Sequence, residues 1–74
     1  MTTSDRDHFY RAAKHIDDIR FSETALVLGF NLSYARGYIA ALYDAGQISE
    51  RKLKEFEIRS ERARDQRLNE LDPS

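Results

Sequence analysis

The 74-residue chain carries 12 Lys/Arg against 13 Asp/Glu, a net charge of −1, with 41% apolar residues, 34% charged residues and no cysteine. This leaves room for one domain with a modest core, since a chain this short buries only about 60% of the surface its unfolded form exposes. A disulfide framework and a thiolate metal site are excluded, and the basic excess of a protein held mainly by phosphate electrostatics is missing.

The opening residues, Met1 to Asp7, have no apolar stretch behind a basic region, so no signal peptide is expected. The longest uninterrupted apolar runs are only a few residues, which argues against a membrane span. The expected location is cytoplasmic. The first helix is predicted over residues 5–19. Thr3 or Ser4 can cap it, and Asp5 and Asp7 place negative charge in its first turn, where the helix dipole favours it. Phe9, Ala12, Ala13, Ile16 and Ile19 recur at three and four residues and form its apolar stripe.

Ser22 is a good cap for a short second helix over residues 23–28, which Gly29 ends because glycine tolerates positive φ. Asn31 or Ser33 can cap a third helix that continues to residue 45 and stops at Gly46. Its residues Ala35, Tyr38, Ile39, Leu42 and Tyr43 make a wide apolar face, with Ala40, Ala41 and Ala45 filling most of the rest. A helix apolar on nearly every side is usually buried on several sides, so this one is expected at the centre of the fold. Gly37 inside it points to a close approach by another backbone.

Gly46-Gln47-Ile48-Ser49-Glu50 marks a helical corner in which glycine ends one helix, isoleucine folds back under the turn and serine caps the next. The fourth helix can then reach about residue 71 before Pro73. Leu53, Phe56 and Ile58 can pack on the core, but from Arg59 onward only Ala63, Leu68 and Leu71 are apolar. That half is expected to overhang its own domain. The fold class is therefore all-α: a small compact bundle of four helices, the last one long and overhanging, in a single domain with a core over residues 5–58 and a charged extension over 59–71. Phe9, Ile16, Ile19, Leu26, Leu28, Phe30, Ile39, Leu42, Leu53 and Phe56 are the expected core.

Residues 21–40 resemble a helix-turn-helix DNA-binding unit, with Ala25 small where the helices cross, Gly29 in the turn and Leu28 and Phe30 beneath it. The resemblance implies that Asn31, Leu32, Ser33, Arg36 and Gly37 face the major groove, Arg36 reading guanine and Arg20 or basic residues of the fourth helix touching the backbone. Ala35 and Tyr38 stand where branched aliphatics are usual, and Thr24 replaces an apolar residue. The charge does not add to this reading: residues 1–49 carry five Lys/Arg against six Asp/Glu, and residues 50–70 seven against six.

His8 and His15 share a helix face with Asp18 one turn further on, but two rings seven residues apart lie about 10 Å apart along the axis, too far for one metal. No nucleophile–base pair, phosphate-binding glycine loop or metal-ligand spacing is present in the sequence. The chain is read as no enzyme, with no cofactor, metal or small-molecule substrate. Tyr10, Tyr34, Tyr38 and Tyr43 supply amphipathic aromatic surface of the kind enriched, with arginine, in protein-binding hot spots. The expectation is a small regulatory or inhibitory protein, an economy of size common in phage and mobile elements, that binds a protein partner as a homodimer or larger assembly. Tyr34, Tyr38, Arg59 and Ala63 are the expected interface, and a dimeric helix-turn-helix regulator is the alternative.

Overall fold

The computed structural model describes residues 5–72. Thr3 and Ser4, the expected caps of the first helix, and Pro73 lie outside them.

Helix α1 spans Asp5–Arg20. Its apolar stripe is buried at Ala12, Ile16 and Ile19, with Phe9 packed beside them. The chain leaves α1 through a turn held by the Ser22 hydroxyl, which donates to the Asp18 carbonyl at 2.7 Å. Ser22 is thus a buried C-terminal partner of α1 and not the cap of a second helix. The cap of the next helix is Thr24, whose hydroxyl oxygen accepts from the Val27 amide at 3.1 Å.

Helix α2 runs unbroken over Ala25–Asp44. The expected short helix, the turn at Gly29 and the third helix are one element, so the described residues hold three helices where four were expected. The reason is a seam that continues through the glycine. Leu28, Leu32, Ala35, Ile39 and Leu42 follow a 4-3-4-3 spacing and face the other two helices. Packing along 20 residues outweighs the roughly 1 kcal/mol that one interior glycine costs relative to alanine. Gly29 has no positive φ; among the described residues that conformation occurs at Gly46, with φ 74°.

The corner at Gly46 forms as its residues dictate. The Gln47 amide donates to the Leu42 carbonyl at 2.8 Å and the Gly46 amide to Tyr43 at 3.0 Å, the paired bonds of a Schellman ending. Ile48 folds under the corner and is buried, and the Ser49 hydroxyl accepts from the Lys52 amide at 3.1 Å. Helix α3 follows over Glu50–Leu71.

Each helix packs on both of the others. Phe9 near the start of α1 meets Phe56 in the first half of α3, ring edge to ring face at 6.0 Å, while Arg20 at the end of α1 bonds Glu70 at the end of α3. Helices α1 and α3 therefore run parallel, with α2 antiparallel to both. The second half of α3 does not overhang. Ser60 and Ala63 are buried, and Leu71 packs against the core. Small residues make this possible: Ala12, Ala35, Ser60 and Ala63 let the helix axes approach, and the Ser60 hydroxyl donates to the Phe56 carbonyl of its own helix at 2.9 Å.

Two expected core residues are on the outside. Leu26 is 71% exposed and Phe30 67% exposed. With the seam facing inward, helical geometry turns positions 26 and 30 to the opposite side of α2.

Candidate interaction surface

The side of α2 away from the bundle carries Leu26, Gly29, Phe30, Ser33, Gly37, Ala40, Ala41 and Asp44, all exposed. At 100° per residue they fall within about 120° of one another, opposite Leu28, Ala35, Ile39 and Leu42. Tyr34, 65% exposed, stands at the edge beside α1. One charge, Asp44, lies on this face. Leu26, Phe30 and Tyr34 together leave on the order of 400 Å² of mostly apolar side chain uncovered, within the range of the largest patch that isolated monomers show.

Among the described residues, and apart from the adjoining backbone of α2 itself, nothing lies within 4 Å of a side-chain carbon built at Gly29 or Gly37. The close backbone approach expected at Gly37 is not made within this molecule. Two interior glycines in one helix, at roughly 1 kcal/mol each relative to alanine, are left without an intramolecular partner that needs them.

The same composition makes α2 long and apolar enough to cross a membrane, with mean hydropathy 1.2 over its most apolar window. Counting uninterrupted apolar runs missed this, because Gly, Asn and Ser break the runs without adding charge. In the bundle the inner side of α2 is packed on α1 and α3, whose outer faces are charged, and Arg36 lies in mid-helix. Such a bundle cannot enter hydrocarbon intact.

Beside this face, between α1 and α2, His15, Asp18, Phe30, Asn31 and Tyr34 line an open depression of about 290 Å³. The His15 ring lies 4.7 Å from the Tyr34 ring and 4.8 Å from Tyr38, and its Nδ1 is 4.0 Å from an Asp18 carboxylate oxygen. The floor is fixed by Asn31, whose side-chain amide donates to the Asp18 carbonyl at 3.0 Å and to the Ser22 hydroxyl at 2.9 Å. Aromatic walls, a carboxylate and an imidazole in an open cleft suit an inserted side chain of another macromolecule better than an enclosed small molecule. No group of three or more potential metal ligands occurs among the described residues.

The residues singled out from the sequence are scattered. Of the expected protein interface, Tyr34 is exposed, Tyr38 is half-buried against His15, and Arg59 lies on α3 with its guanidinium 5.6 Å from the Phe56 ring. Ala63 is buried in the core and offers no surface, because the α3 extension packs on the bundle. Of the residues expected to meet DNA, Asn31 is bound to the end of α1 and Arg20 pairs with Glu70. Ser33 is exposed, and Arg36 lies 4.0 Å from Glu61 of α3. The four do not form one surface. His15, Asp18, Gly29 and Ala41 were not selected as site residues, and Ser33 and Gly37 only as residues facing DNA; the four-residue spacing of Gly29, Ser33, Gly37 and Ala41 was the available signal.

No family model, curated protein or solved structure matches this chain. The functional reading therefore rests on the chain's own geometry.

The ends of α1 and α3 are tied by a charged knot. Arg20 donates two hydrogen bonds to the Glu70 carboxylate, both 2.8 Å, and Arg67 donates to Glu70 at 3.0 Å and through Nε to the Ser22 carbonyl at 2.6 Å. Hydrogen bonds from Arg20 and then Arg67 hold the Glu70 carboxyl down to about 2 from 4.5. A depressed carboxylate contributes stability that is present above its unfolded pKa and lost as pH falls through its folded one. Thermal unfolding followed by circular dichroism should therefore show the wild type weakening as pH falls from about 4.5 to 2, and Glu70→Gln weakening less over that window. Because Glu70 is exposed, added salt should shrink the difference. Equal pH profiles for the two proteins at low salt would refute the coupling.

Proposed function

We propose that this is a small non-enzymatic regulatory or inhibitory protein that acts by binding a macromolecular partner, most directly another protein, as a homo-oligomer. One observation carries the reading: α2, the second of the three packed helices, turns Leu26, Phe30 and Tyr34 to solvent on one face with a single charged residue at its end. Such a face costs solubility unless something covers it. The cleft beside it, with Tyr34 and His15 as walls and Asp18 at the rim, adds a shaped recess of the kind that receives an anchoring side chain. Near-neutral charge favours a protein surface over a polyphosphate.

The test is affinity capture from cell extract with the wild type and with Tyr34→Ala, followed by binding of the purified partner. A defined protein held by the wild type and weakened at least about tenfold by Tyr34→Ala, equivalent to about 1.4 kcal/mol, is the expected result. A partner bound equally by both proteins would show that the surface is misassigned. A gel shift on DNA from upstream of the coding sequence, at roughly 100 mM salt, provides the opposing outcome. A sequence-specific shift abolished by Arg36→Ala would replace the protein-binding reading with the DNA-binding one.

A further inference from the structure

We infer that the outer face of α2 is the seam of an antiparallel two-fold dimer, in which the bulky N-terminal half of one α2 lies on the small-residue C-terminal half of the other. This gives a geometry to the self-association in the proposed function and rests on it. The face is divided along its length. Its first half carries Leu26 and Phe30, and its second half Gly37, Ala40 and Ala41. A parallel pairing sets bulk on bulk. An antiparallel pairing about the middle of the helix sets Phe30 against the partner's Ala40, Gly29 against the partner's Ala41 and Ser33 against the partner's Gly37, twice over. That is the self-complementarity an isologous interface needs.

Three observations point to a second copy as the occupant. Gly29 and Gly37 have open space around them in the single chain, and in this pairing Gly37 faces the partner's Ser33 next to the two-fold axis while Gly29 faces the partner's Ala41 about one and a half turns out. Leu26 and Phe30, with the exposed small residues of the face, offer on the order of 500 Å² per copy, so that two copies bury at most about 1,000 Å², the size at which a specific interface begins. No acidic residue lies in the first turn of α2 and no basic one in its last, where Asp44 opposes its own helix dipole. Antiparallel pairing carries Asp44 to the first turn of the partner helix, where the dipole favours a carboxylate. Glu23, just ahead of the Thr24 cap, faces the same region and reduces that gain. Helices α1 and α3 lie on the far side of α2, and the cleft at His15 and Tyr34 stays at the rim, open to a different partner.

The absence of native cysteine makes the geometry directly readable. Mixing full-length Gly29→Cys with full-length Ala41→Cys under mild oxidation should give mainly the mixed disulfide dimer, since a parallel pairing leaves these positions about 18 Å apart along the axis. Sedimentation equilibrium of the wild type at roughly tens of micromolar should report twice the 8.6 kDa chain mass. Gly37→Leu should report one chain mass with helicity by circular dichroism unchanged, because the added side chain meets nothing within its own bundle. A wild-type dimer that Gly37→Leu leaves intact, or a preference for the two same-site disulfides, would overturn the seam while leaving self-association standing. A wild-type monomer would overturn both. Tight binding of the monomer to vesicles of phosphatidylcholine and phosphatidylserine would assign the face to lipid. Capture of a protein partner weakened by Tyr34→Ala but not by Gly37→Leu would leave the protein-binding part of the proposed function in place whatever the outcome for the dimer.

Discussion

Replacing Phe56 with alanine is expected to leave the chain without a stable fold. Phe56 is 1% exposed and sits in the buried core, against the Phe9 ring of α1, with the Lys52 ammonium 4.8 and 5.1 Å above the Phe9 and Phe56 rings. Removing a buried phenylalanine costs about 3–5 kcal/mol, the transfer of the ring plus the cavity it leaves. A domain of this length is held by about 4–11 kcal/mol in total, so one side chain accounts for about a quarter of it or more. Neighbours cannot collapse inward easily, since Ala12, Ser60 and Ala63 have little side chain to give. Denaturant unfolding at neutral pH should show the loss as a large drop in midpoint, or as an absent folded baseline. Phe30→Ala is the matched control: the same residue change on the 67% exposed outer face should shift single-chain stability by no more than about 0.5 kcal/mol. If the two substitutions cost the same, the rotation of α2 described above is wrong.

The second large effect is of opposite sign at two small residues two positions apart. Ala35 is fully buried in the seam of α2, and Ala35→Leu forces an extra branched side chain between helices already in contact. Overpacking of this kind costs about 1–3 kcal/mol through displaced rotamers and backbone shifts. Gly37 points to open space, so Gly37→Leu removes an interior glycine and should stabilise a single copy by up to about 1 kcal/mol. Both are measured by chemical denaturation at a protein concentration low enough to populate single copies. Destabilisation by Gly37→Leu under those conditions would mean that the outer face of α2 is packed within its own chain.

The sequence by itself determined the events that are local. The all-helical class follows from apolar residues recurring at three and four, and the corner after α2 from Gly46, whose φ of 74° strains other residues. The start of α3 follows from Ser49, whose hydroxyl accepts the amide three residues on. Each of these depends on neighbours within about five positions. What only the tertiary structure decided is how α2 is used. Gly29 is a fair stop signal in isolation, and it is overridden because Leu28, Leu32, Ala35, Ile39 and Leu42 gain more by packing as one line than the glycine costs. That same line decides that Leu26 and Phe30 face outward, although their hydrophobicity alone suggests burial. Residues 59–71 likewise read as a charged overhang, yet Ser60 and Ala63 bury because close helix contacts select small residues as readily as apolar ones. Helix rotation and helix docking depend on contacts with segments tens of residues away, and a local pattern does not record which of its faces those segments will cover.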